Sequence, residues 1–173
     1  MIYIQLMRIM PLVLLSIYQL GCLSADLEVK VVSANELFTD IKKNNSSRTV
    51  LINVWSTWCL PCIEEFPYIV DLQKEYKNED LSVVFVSADW DENAQAVHDF
   101  LISENVSGTH YRKKEGDDEN FINEFSSFWS GALPFTGIYN KDMVLKKYWE
   151  GKKDEDFFIS SIDSLLNMKG EKL

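Results

Sequence analysis

This 173-residue chain is short of cysteine, with three, of histidine, with two, and of basic residues, with 17 against 27 acidic ones. Each shortage excludes something. A formal charge of −10 argues against nucleic-acid binding, which rests on Lys and Arg neutralising phosphates. It also argues against holding an anionic membrane surface by charge alone. Three cysteines are too few for a disulfide-scaffolded domain. A four-ligand zinc site has no obvious ligands, because only His98 and His110 could join the cysteines and neither sits at finger spacing. The N-terminal apolar run after Arg8, about ten residues long, is too short to cross a bilayer core of roughly 30 Å. Internal repeats and low-complexity tracts are absent. The composition itself, 46% apolar and 25% charged, is that of an ordinary globular protein. A domain of roughly 150 residues buries about 70% of the surface its unfolded chain exposes, so it needs no disulfide staples.

Residues 1–21 read as a signal peptide. The end of that stretch, Gln19-Leu20-Gly21-Cys22, is similar to a bacterial lipobox, in which a small residue precedes a cysteine that becomes diacylated. Gln19 departs from the aliphatic residue usual at its position. Ordinary signal-peptidase cleavage after Ser24 or Ala25 is the competing reading. Residues 22–173 are expected to form one domain. With Cys22 as a lipid anchor, only two thiols remain for chemistry.

Past the leader, the pattern alternates strands and helices. Residues 27–32 read as a short strand, and Ser33-Ala-Asn-Glu36 as a capping box opening a helix to about Lys43. Residues 49–55 and 81–87 are apolar runs of strand length. Between them, residues 59–77 carry Ile63, Phe66, Ile69, Val70 and Leu72 at helical spacing, with Pro67 expected to kink the helix. A helix over 93–105, a short strand over 109–112, an acidic loop over 115–119 and a helix marked by Phe121, Ile122, Phe125 and Trp129 follow. A hairpin turning at Asn140-Lys141-Asp142 and a last helix opened by Asp154-Glu155-Asp156 complete the order. This predicts an α/β sandwich around a mixed central sheet.

The chemistry concentrates in Trp55-Ser-Thr-Trp58-Cys59-Leu60-Pro61-Cys62, which follows a buried strand and opens a helix. A thiolate is the nucleophile in disulfide exchange, and a free cysteine with pKa about 8.5 is mostly protonated at neutral pH. Unpaired N–H groups and the dipole at a helix N-terminus stabilise a thiolate there. Cys59 has that position. Cys62, one turn inside, can attack a mixed disulfide formed at Cys59. Two intervening residues let the sulfurs meet within disulfide geometry, and Pro61 fits the first turn, where its missing N–H costs little.

Trp-Cys-x-Pro-Cys after an apolar strand is the thioredoxin-superfamily signature. The longer string Trp58-Cys-Leu-Pro-Cys-Ile-Glu-Glu-Phe-Pro-Tyr68 resembles the TlpA/ResA branch of exported, membrane-tethered thiol–disulfide oxidoreductases. The resemblance runs from about Val50 to Leu166 and implies a thioredoxin-like fold, with an αβ insertion at about residues 89–129 before a cis-proline hairpin. The opening strand and helix match less well. Cytoplasmic thioredoxins place a buried Asp where this chain has Asn53. Glu65 occupies the place of the branch's active-site Glu, three residues after Cys62 and on nearly the same helix face. As a partly buried carboxylate it would have a raised pKa and accept the Cys62 proton. Ala132-Leu133-Pro134-Phe135 matches the cis-proline loop, with Leu133 and Pro134 presenting backbone to an extended substrate.

Trp58 is expected beside the disulfide as part of the docking surface, and Leu60 and Pro61 as tuners of the redox potential. Trp55, Trp90, Trp129 and Trp149 are expected to pack in the core or on the surface. His98 and His110 are expected as partly exposed residues, not ligands. No metal or organic cofactor is implied. The implied partners are protein thiols and disulfides and a membrane-linked electron donor, and a monomer is expected. The implied place is the periplasm or cell envelope, and the implied job is reductive, with apocytochrome c as one substrate. Three rivals are weaker. Copper-handling relatives use Cys-x-x-x-Cys with a distal His, one residue longer than here. A docking module without turnover would not need the intact dithiol. A thiol peroxidase would want an Arg-supported cysteine without this pair.

Overall fold

The computed structural model describes residues 27–45, 48–76, 80–116 and 118–170. The signal-peptide and Cys22 expectations lie outside them. Strand β1 (Leu27–Val32) leads into α1 (Ala34–Asn44). The Ser33 side chain accepts the Glu36 N–H, and the Glu36 carboxylate accepts the Ser33 N–H at 2.8 Å, which is the expected capping box. Strand β2 (Thr49–Trp55), α2 (Leu60–Glu75) and β3 (Leu81–Ser87) follow. A single 3-10 turn, Asp91–Asn93, precedes α3 (Ala94–Ser103), β4 (Gly108–Lys113) and α4 (Asp118–Phe125). The hairpin β5 (Phe135–Tyr139) and β6 (Leu145–Glu150) and the helix α5 (Glu155–Gly170) close the order.

The six strands among the described residues form one mixed sheet in the order β1-β4-β3-β2-β5-β6. β1 to β4 run parallel, and β5 turns antiparallel to β2. Period-two alternation splits the core into two layers. Leu51, Trp55, Val83, Phe85, Ile138 and Trp149 face α2, α3 and α5. Val50, Ile52, Val54, Val84, Val86 and Phe135 face α1 and α4. β2 is buried along its whole length, as a central strand covered on both faces must be.

Three details differ from the sequence reading. The acidic segment is not all loop, because Asp118 and Glu119 form the first turn of α4, where carboxylates suit the macrodipole. That helix stops at Phe125, and Trp129 lies beyond it, buried, with its indole N–H donating to the Ala132 carbonyl at 2.8 Å. His110 is not partly exposed. It is sealed inside β4, where Nδ1 accepts the Phe85 N–H at 3.1 Å and Nε2 lies 3.2 Å from the Ser107 carbonyl. Between β3 and β4 only Val86–Tyr111 and Ser87–Arg112 pair, so the ring takes a ladder bond where the strands diverge. Burial holds its pKa down at about 4, so it is neutral. Pro67 lies inside α2, which continues to Glu75.

Candidate active site

The candidate side chains gather where β2 hands over to α2. Cys59 caps α2, and its Sγ accepts the Cys62 N–H at 3.3 Å. Cys59 and Cys62 are disulfide-bonded, with Cα atoms 5.2 Å apart. Cys59 keeps a sliver of exposure, 7%, while Cys62 has 1%. The outer sulfur is thus the one an incoming group can reach. Trp58 and Leu60 flank it and are 61% and 67% exposed. No charged side chain stands in the first turn of α2, where the N–H groups of the helix end favour a thiolate.

Beneath the disulfide, the sheet carries a polar strip on its α2 face. Alternation puts Asn53 on the same face as Leu51 and Trp55, and the β2–β5 register sets it opposite Thr136. The Asn53 amide donates to Thr136 Oγ1 at 3.0 Å and to Glu65 Oε1 at 3.1 Å. Glu65 Oε2 accepts the Lys153 N–H at 3.0 Å. Glu65 is fully shielded from solvent. Burial pushes its pKa up to about 7, against the opposing pull of the Lys153 and Asn53 hydrogen bonds. A carboxyl with this value can hold or release a proton near neutrality.

The Leu133–Pro134 peptide is cis. Pro134 is buried, and its carbonyl accepts the Gly151 N–H at 2.8 Å. Leu133 is half-buried against both core layers. The β6–α5 connector ties this loop to α2. Glu150 accepts from Ser130 N and Oγ at 2.6 and 2.7 Å, Lys152 pairs with Glu64 at 2.5 Å, and Lys153 caps Glu65.

The dithiol, Glu65 and the cis-proline loop lie at the positions the sequence motifs mark, whereas the residues that hold them carry none. Thr136 and the Lys153 backbone stand in no motif. Asn53 stands where cytoplasmic thioredoxins have a buried Asp, and its alternation with Leu51 and Trp55 points it at α2. Among the described residues no group of three or more His, Cys, Asp or Glu side chains could hold a metal ion, and no helix is long and apolar enough to cross a membrane.

A profile of the Redoxin family matches residues 28–113. That match spans just under half of the chain. The chain is similar to ResA-like proteins of the thioredoxin superfamily. It is 35% identical over 74 residues to the thiol-disulfide oxidoreductase ResA of Oceanobacillus iheyensis, covering 42% of this chain and 38% of that one. It is 28% identical over 117 residues to ResA of Bacillus thuringiensis (strain Al Hakam), covering 68% of this chain and 58% of that one. Both matches span less than two thirds of the relative's own length. A solved structure of a putative thiol:disulfide interchange protein DsbE from Chlorobium tepidum superposes with a TM-score of 0.59 at 19% identity, covering 72% of this chain and 84% of that one. At that identity the superposition speaks for the fold. The chain has the thioredoxin-like α/β fold expected of it, and strand β4 of the expected insertion joins the sheet interior between β1 and β3.

Proposed function

We propose that this chain is a thiol–disulfide oxidoreductase that reduces protein disulfides. In the reduced protein the Cys59 thiolate attacks a substrate disulfide, forms a mixed disulfide and releases one substrate thiolate. Cys62 gives its proton to the Glu65 carboxylate and attacks the Cys59 sulfur. That forms the Cys59–Cys62 bond, breaks the mixed disulfide and releases the second substrate thiolate, which can take the proton back from Glu65. Two electrons pass to the substrate, and a thiol donor linked to the membrane restores the dithiol. Trp58, Leu133 and Pro134 present the docking surface, and Leu60 and Pro61 tune the potential. The observation that carries this reading is a bonded cysteine pair at a helix N-terminus with a sealed, near-neutral-pKa carboxyl three residues further along the same helix. The ResA relatives support it.

The cellular setting belongs to the same proposal. The apolar leader ending in Gly21-Cys22 favours export with a lipid on Cys22. An envelope location would give the dithiol exported cysteines to keep reduced, apocytochrome c among them. Mixing reduced protein with insulin tests the activity. Insulin disulfides should be cleaved with stoichiometric loss of two thiols per chain, Cys59→Ser should abolish the reaction, and Cys62→Ser should trap a mixed disulfide. Intact insulin under these conditions would overturn the reading.

A further inference from the structure

Asp89 is a fully buried carboxylate that the proposed reaction does not use. It lies just past the end of β3, beside the turn that precedes Cys59. Its Oδ2 accepts the Thr57 N–H at 2.9 Å and the Ser87 hydroxyl at 2.8 Å, and its Oδ1 accepts the Thr57 hydroxyl at 2.5 Å. The Asp89 N–H returns to Ser87 Oγ at 3.0 Å. Burying a carboxylate is costly unless donors satisfy it, and here two of its three donors come from one residue, Thr57. Thr57 sits inside the turn closed by the Cys59 N–H on the Ser56 carbonyl at 3.2 Å.

The insertion completes the arrangement. β4 pairs with β3 only beside the active site, and there Arg112 reaches back. Its guanidinium, 6% exposed, donates to the Asp89 carbonyl at 3.4 Å and pairs with Asp91 at 2.5 Å. We propose that Asp89 is a positioning residue for the dithiol. It holds Thr57, and through Thr57 the turn that sets Cys59 on the end of α2, while Arg112 of the inserted strand braces it. This inference rests on the dithiol reading above, but its test needs no substrate.

The test is the iodoacetamide alkylation rate of Cys59 in the reduced full chain at pH 7, with a urea melt for each variant. Asp89→Ala removes all three bonds to the carboxylate. Alkylation should slow about tenfold as Cys59 drifts from the N–H groups that favour its thiolate. Asp89→Asn should restore the rate to within about threefold, because its carbonyl can replace Oδ2 while the Thr57 hydroxyl turns to accept from its amide. Thr57→Val, which keeps the N–H bond, should slow alkylation about threefold. A folded Asp89→Ala protein alkylated at the wild-type rate, or an Asn variant as slow as the Ala variant, would overturn the proposal. If Asp89→Ala does not fold, an unchanged rate in Thr57→Val overturns it instead. Failure to cleave insulin, by contrast, would speak against the oxidoreductase reading and leave the alkylation result standing.

Discussion

Asn53 and Glu65 meet inside the core, the amide of one donating to the carboxyl of the other at 3.1 Å. The contact joins the central strand to the helix that carries both cysteines. An Asp at position 53 could itself take up a proton. Asn cannot, so it leaves Glu65 as the one titratable partner of this pair and orients it.

If Glu65 takes the Cys62 proton, Glu65→Gln should slow release of the mixed disulfide while the first attack by Cys59 proceeds normally. A loss of roughly 10- to 100-fold fits the usual contribution of a general base. In the wild type the release rate should rise with pH as Glu65 ionises near 7, and in the variant that inflection should vanish. Single-turnover quench-flow with mass analysis separates the two steps. Equal release rates for both proteins would remove Glu65 from the reaction.

Glu65 and His110 should also leave opposite marks on stability. The folded-state value of Glu65, about 7, lies above its ordinary 4.5, so its contribution is present below pH 4.5 and is lost as pH rises toward 7. His110 is held near 4 against an ordinary 6.5, so its contribution is present above pH 6.5 and is lost as pH falls toward 4. Each shift corresponds to about 3 kcal/mol. Between pH 4.5 and 6.5 the two slopes oppose one another, and the oxidised wild type should look nearly flat. In that window Glu65→Gln should show stability rising with pH, and His110→Gln should show it falling. Urea midpoints at half-unit intervals read the slopes. Slopes, not absolute values, are the measure, because both partners of Glu65 are donors and a Gln amide leaves one of them unmet.

How much of this was legible in the residues differs from place to place. The strand before Cys59, the capping box at Ser33 and the final hairpin were readable because each follows a local rule of alternation, side-chain capping or turn chemistry. The cysteines and Glu65 were readable because helical spacing puts them on adjacent turns. His110 was misread because nothing local reveals that β3 and β4 diverge beside it and leave an N–H for a ring nitrogen to accept. Trp129 was misread because an aromatic at helical spacing can pack just as well from the loop after a helix. Asp89 stands in no sequence motif. Its importance depends on Thr57, 32 positions away, and no periodicity reports such a pairing.

Trp58 stands exposed beside Cys59; Trp90 is exposed as well, whereas Trp55, Trp129 and Trp149 are buried. Replacing Trp58 with Ala should move the urea midpoint little, since it fills no core space. If the indole is part of the docking surface, KM for insulin should rise several-fold, with a smaller change in kcat, because aromatic anchors carry much of the energy at such surfaces. Steady-state kinetics checks the split. A fall in kcat with KM unchanged would place Trp58 in the chemistry and not in docking.

The most direct test of the account is an equilibrium redox titration of Cys59 and Cys62 against dithiothreitol, read by alkylation and mass. A reversible two-electron couple with a midpoint below about −250 mV is the predicted result for a reductant of protein disulfides. A pair that never bonds reversibly would contradict the dithiol mechanism, and a midpoint near the −120 mV or so of strong oxidants would contradict its reductive direction.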